Sequence, residues 1–284
     1  LIEDLAVVTA DAAAHLRRPL ALIAKQNDPR LITPRESGGF GLDAVWNDDF
    51  GHALDAVWND DFGHALDAAP HPARTDDQVG PDTGFGPLAA LAACCERGPS
   101  RDRAEPTSTG GTSAALDVET TPGWRLVVSS SSHEVGDRVA GARPGEVLDD
   151  GPADEGLPGG VLDDDQLAVA ALITLTTPFT PWLSGRHPTI EGVHRELVAL
   201  RREYPELNSP ALTSTACTFD EDARWFCMRR GGLAVVANFG ASEVSVELGG
   251  RHRLRWATRA GASVVGTRVV LPPHAGALLL PVAD

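Results

Sequence analysis

The chain has 284 residues but only one lysine, Lys25, one tyrosine, Tyr204, and an aromatic content of 5%. With a formal net charge of −16, a single lysine excludes binding to a phosphate backbone, which needs clustered Lys and Arg. The pairs Arg17-Arg18 and Arg229-Arg230 form no basic stripe and read as solvated charge at the ends of elements. Cys94, Cys95, Cys217 and Cys227 have no C-x-x-C spacing, so neither a zinc knuckle nor a disulfide framework is expected. No apolar run reaches eighteen residues, and the N-terminus has no basic flank with a small-residue cleavage site, so neither a membrane nor a leader is expected. A cytoplasmic protein with no nucleic-acid or membrane partner is the expectation.

What the chain does contain is 42% hydrophobic residues, enough for a core built from Val, Leu and Ala. Ile2, Leu5, Ala6, Ala13 and Leu16 recur at helical spacing and Pro19 ends the run, which predicts a helix over 2–18 with these residues facing inward. Leu20 to Ala24 is a short apolar run of the doubly buried, parallel-strand type. Short helices are predicted at Leu88 to Cys95 and Leu167 to Leu175, a longer one at Ile190 to Arg202, and a strand at Arg125 to Val128. From Trp225 onward every element is short and β-like, with Gly-containing turns between, which predicts a β-sandwich after a boundary near Tyr204 to Pro210. Residues 69–122 and 145–165 are rich in Pro, Gly, Asp, Ser and Thr and read as loop or disorder.

The twelve residues Leu42 to Ala53 are repeated without change as Leu54 to Ala65. Two copies do not make a solenoid. Twelve residues at 3.6 per turn rotate a helical face by about 120°, so both copies cannot present one face to one neighbour. One copy is expected to be looped out or distorted.

Three stretches carry more than fold class: Ile23 to Arg30, Gly38 to Ala53, and His133 to Gly141. In that order they resemble the malto-oligosyltrehalose trehalohydrolase family of α-amylase-type glycoside hydrolases. Thr177 to Pro181, Val193 to Leu197 and the final β-rich stretch extend the likeness. The resemblance implies an α/β fold, here an incomplete (β/α)8 barrel over 1–205 followed by a small antiparallel β-sandwich over 206–284. It also implies a retaining mechanism, in which one carboxylate attacks the anomeric carbon and another protonates the leaving oxygen.

Carried over by position, the family's nucleophile falls before Leu1. Its general-acid position is taken by Lys25; a lysine side chain holds its proton too tightly for a general acid, and its positive charge opposes an oxocarbenium-like transition state. Its transition-state carboxylate, an Asp in the family, becomes Glu134 here, one methylene longer, though His133-Glu134 also reads as a surface turn. Asp28, Asp48, Asp49, His52, His133 and Arg143 are the candidate sugar contacts. No metal or cofactor is expected, since Asp48, Asp49 and His52 alone do not set a coordination shell. Gly38 to Gly41 has no phosphate-loop spacing, and Trp46 and Trp58 read as packing.

The expected partner is therefore malto-oligosaccharide or malto-oligosyltrehalose, with hydrolysis by this chain alone not expected. The alternatives are a non-catalytic sugar-binding module, a module that docks through open barrel edges onto a chain supplying the missing strands, and a poorly folded relic.

Overall fold

The computed structural model describes residues 2–25, 29–58, 86–98, 121–130, 162–183 and 188–282. Its first part is a parallel sheet in the order β1 (Ile23–Ala24), β2 (Ala44–Trp46), β3 (Leu126–Ser129), β4 (Thr180–Trp182). Val45 lies opposite Leu126, and Val127 opposite Thr180. Parallel neighbours in chain order need crossover connections. Helices α2 (Asp48–Trp58) and α3 (Pro87–Arg97) lie between β2 and β3, and α4 (Asp164–Thr176) lies between β3 and β4. Helices α5 (Pro188–Glu203) and α6 (Pro205–Asn208) follow β4.

Two expectations about the N-terminal stretch need correction. Helix α1 (Ile2–Leu16) forms, but Leu5 and Leu16, expected on its inner face, are exposed together with Val7 and Val8. The doubly buried strand expected at Leu20 to Ala24 shrinks to β1, where Ile23 is 42% exposed. The reason is position: among the described residues β1 pairs only with β2.

The repeat resolves in a way helical geometry alone did not anticipate. In the first copy Leu-Asp-Ala-Val-Trp leads into and forms β2; the same five residues in the second copy, Leu54 to Trp58, are the last turns of α2. The rest of the second copy lies outside the described residues.

The second part consists of two antiparallel sheets. One runs β5 (Thr215–Asp220), β6 (Trp225–Arg230), β7 (Leu233–Asn238), β12 (Ala275–Pro281), β9 (His252–Ala257); the other runs β10 (Ser263–Val265), β11 (Arg268–Leu271), β8 (Val244–Glu247). Cys227, Ala234, Val236, Ala277 and Leu279 face Val246, Leu248, Val269 and Leu271 across the space between the sheets. The alternate residues Phe226, Met228, Val235, Ala237, Leu278 and Leu280 join the other core, with Leu88, Leu91, Leu172 and Ile173. The central strands are thus apolar on both faces, which explains why Leu233 to Asn238 reads as an unbroken buried run.

Helix α4 is the wedge between the two parts. It starts with a capping box in which Asp163 Oδ1 accepts from the Gln166 N–H at 2.8 Å and Gln166 Oε1 accepts from the Asp163 N–H at 3.0 Å. Every residue from Ala168 to Thr176 is buried. At Gly276 an added Cβ would come within 2.5 Å of Leu172 Cδ2, so β12 approaches α4 as closely as it does because glycine stands there.

The C-terminal end of α4 overturns the reading of Arg229-Arg230 as solvated charge. Arg230 is fully buried, and its guanidinium donates to the carbonyls of Thr176 and Glu206 at 3.0 Å each, and to that of Ser209. Arg201 donates to the carbonyls of Leu175, Thr177 and Phe179 at 2.8, 3.1 and 2.7 Å. Together they satisfy carbonyls that the helix end leaves without partners and place positive charge at the negative end of its dipole. Burial is the main cause that lowers both guanidinium pKa values to about 10. Among the described residues no helix is long and apolar enough to cross a membrane.

Candidate functional site

In open or closed parallel α/β sheets, ligands gather at the carboxyl ends of the strands. Here those ends carry Lys25 after β1, Asn47 and Asp48 after β2, Ser130 after β3 and Leu183 after β4. Asp48 and Asp49 form the first turn of α2, where the helix N-terminus favours negative charge, and His52 follows one turn on from Asp48. All three are half-buried. Lys25 is exposed in the bend directly after β1. The sheet thus gathers Lys25, Asp48, Asp49 and His52 along one edge or one turn behind it. Asp28, His133, Glu134 and Arg143 lie outside the described residues.

Two features of this edge went unread in the sequence. Asn47 is buried, its N–H donates to the Val127 carbonyl at 2.8 Å, and among the described residues neither its side-chain oxygen nor its nitrogen has a hydrogen-bond partner. A buried amide without partners is a costly arrangement that needs a reason, and a strand end is where such reasons are found. The second feature is an aromatic pair: Trp46 and Trp182 meet edge to face, ring centroids 5.7 Å apart, with Trp182 49% exposed. Trp58, by contrast, is packing, set edge to face on Phe239 at 4.8 Å and on His274 at 5.9 Å.

Retaining glycosidases need two carboxyl groups about 5–5.5 Å apart across the scissile bond. Among the described residues the first positions beyond β1, β3 and β4 hold Lys25, Ser130 and Leu183, none of which is a carboxylate. Two of the buried thiols, Cys95 and Cys227, are poor nucleophiles at neutral pH. The Cys95 pKa is raised well above the usual thiol value, first by its hydrogen bond with Cys217 and then by burial, and burial raises that of Cys227. Among the described residues no three His, Cys, Asp or Glu side chains converge to hold a metal. A shallow groove along α5, lined by Glu191, His194 and Arg195, carries an exposed ion pair, Glu191 with Arg195 at 3.7 Å, and lies on the helix rather than at the strand ends.

Comparison with known proteins gives this edge its context. Over 333 aligned positions the chain is 27% identical to malto-oligosyltrehalose trehalohydrolase of Mycobacterium tuberculosis (strain CDC 1551 / Oshkosh), covering 90% of this chain and 51% of that protein. Its resemblance is to the malto-oligosyltrehalose trehalohydrolases. The enzyme of that name from Rhizobium sp. (strain M-11) is also 27% identical, over 98% of this chain and 53% of its own length. The chain therefore spans about half the length of the curated trehalohydrolases it matches. A family described as a domain of unknown function, DUF3459, matches residues 210–278, which hold the two antiparallel sheets. Among solved structures, a putative α-amylase from Salmonella typhimurium shares the fold at a TM-score of 0.55 and 17% identity, over 96% of this chain and 54% of that one.

Proposed function

We propose that this chain is an α-amylase-type barrel portion, over 1–205, joined to a β-sandwich, over 206–284, of trehalohydrolase descent, which meets malto-oligosaccharide through the carboxyl edge of its parallel sheet and does not hydrolyse it alone. Intact relatives of this type cleave the α-1,4 bond next to a terminal trehalose unit. The observation that carries the reading is Lys25 at the carboxyl end of β1, the position the resemblance gives to the general acid. Asp48, Asp49 and His52 behind β2, with the half-exposed Trp182, then serve as sugar contacts; Asp28, His133 and Arg143 join them, and Glu134 takes the transition-state position. The aligned span of 333 positions exceeds the 284 residues of the chain, so the relative has stretches with no counterpart here, which supports an incomplete barrel. Four free thiols fit a reducing cytoplasm. The test is incubation with malto-oligosyltrehalose. No release of trehalose is expected, and release by this chain alone would overturn the reading.

A second reading rests on the sheet's outer strands. Ile23 on β1 and Trp182 on β4 are exposed, and each of these strands pairs on one side only among the described residues. Open strand edges bind further strands, so a chain supplying them would dock here. Light scattering on the purified chain separates the readings: a clean monomer with maltoheptaose-dependent Trp fluorescence favours sugar binding, and self-association without it favours docking.

A further inference from the structure

Helix α3 is tied to the β5 segment at both of its ends. At its start the Ala89 N–H donates to Glu221 Oε1, just beyond β5, at 2.9 Å, and near its finish Glu96 Oε1 accepts from the Cys217 N–H at 2.6 Å. The second bond sets the residue beside Glu96 against the middle of the strand. That residue is Cys95, fully buried, and its thiol is hydrogen bonded to the thiol of Cys217. We propose that Cys95 and Cys217 are a redox pair, which a peroxide closes into a disulfide that staples the α/β part to the antiparallel part. This goes beyond the reading of the site and does not depend on it.

The fold singles out this pair among the four thiols. Cys217 is only partly buried, and it packs on the core that contains Cys95, Leu91 and Met228, the last of which lies opposite it on β6. Cys227 belongs to the core between the two antiparallel sheets and hydrogen bonds with Thr218, so it serves a different layer. Cys94 and Cys95 are consecutive in α3, and consecutive Cα atoms are about 3.8 Å apart, short of the roughly 4.4–6.8 Å that a disulfide spans.

Exposure sets the order of the chemistry. Cys217 is the thiol that a small oxidant reaches first, because Cys95 has no exposed surface. The Cys217 sulfur attacks one oxygen of hydrogen peroxide and the O–O bond breaks. The thiol proton leaves with the departing hydroxide as water, and Cys217 becomes a sulfenic acid. The Cys95 sulfur then attacks the Cys217 sulfur, the S–O bond breaks, and the hydroxyl carries the Cys95 proton away as a second water. In all, two thiols lose two electrons and two protons, and one peroxide is reduced to two waters. The raised pKa of Cys95 fits the later role, since it keeps that group a neutral thiol until its partner is oxidised.

A disulfide of this kind is transient in a reducing compartment, where such bonds serve sensing rather than architecture. Its effect on the fold would be large while it lasts. It closes a loop of about 120 residues, and restriction of the unfolded chain grows with the loop that is closed.

The test treats the full reduced chain with a few equivalents of hydrogen peroxide and maps its peptides without reductant. A peptide pair linked through Cys95 and Cys217 is expected, together with a rise in Tm of about 5–10 °C that dithiothreitol reverses. Each variant is read as the difference between its own oxidised and reduced Tm, so any cost of the substitution itself cancels. Cys217→Ser is expected to lose both the link and the rise, and Cys94→Ala to keep both. Peroxide that leaves Cys95 a thiol, a link from Cys217 to Cys94 or to a second chain, or a rise in Tm that survives in Cys217→Ser would each overturn the proposal.

Discussion

The two antiparallel sheets and the parallel sheet satisfy the same backbone in different ways. In the antiparallel part, β6, β7 and β12 each have a strand on both sides and apolar side chains on both faces. In the parallel part the strands are two to four residues long, and β1 and β4 each have one partner among the described residues. Burial of the central strands from both faces is what makes the first arrangement resistant to change. The second depends on contacts brought from outside its own sheet, above all from α4 and the arginines at its end.

That contrast can be broken most sharply at the join. Arg230→Met removes the donor shared by the Thr176, Glu206 and Ser209 carbonyls and leaves them buried without it, an expected loss of about 4 kcal/mol. Calorimetry should then resolve two transitions, with the α/β part melting first. Leu172→Ala opens a cavity where α4 meets β12 and should cost about 3 kcal/mol in denaturant melts. Gly276→Ala drives a Cβ against Leu172 and should cost roughly 2 kcal/mol alone, but clearly less on the Leu172→Ala background, a coupling that a double-mutant cycle reads directly.

Within the antiparallel part, the Asn238 amide donates to the Ser242 and Pro272 carbonyls at 2.7 and 2.8 Å, and its oxygen accepts from the Gly240 N–H at 2.9 Å. Asn238→Ala should cost about 2 kcal/mol in the same melts and leave the α/β transition in place. The smallest effect is expected at the surface. Asp165→Asn breaks a half-exposed pair with Arg259, 2.6 Å apart, and should change stability by about 0.5 kcal/mol or less, vanishing in high salt.

The sequence was readable where one rule governed. The short β-like elements read from Trp225 onward are there as strands, Leu233–Asn238 and Arg268–Leu271 among them, and the short helix read at Leu167 to Leu175 lies inside α4. It misled where rules competed. Strand β5 escaped notice because Thr-Ala-Cys-Thr-Phe-Asp is largely exposed and lacks a buried apolar face. Strand β4 escaped because Pro181, which has no N–H to donate, argued for a break rather than for an outer strand. Of the candidate site, Asp48, Asp49 and His52 were legible from the motif around them. Asn47 was not, since its significance lies in burial without a partner, which no spacing announces. The only available sign was its place between a strand end and an acidic helix start.

The fork of Arg201 and Arg230 at the end of α4 also sets an order of events during synthesis. Arg230 stands 54 residues beyond Thr176, whose carbonyl it satisfies. A nascent chain can therefore build α4 and even bring Arg201 to it, yet the helix end stays open to water until β6 has left the ribosome. Folding of the α/β part is in this sense licensed by the β part, and a ribosome halted before Arg230 holds a chain that has its strands but not its clasp.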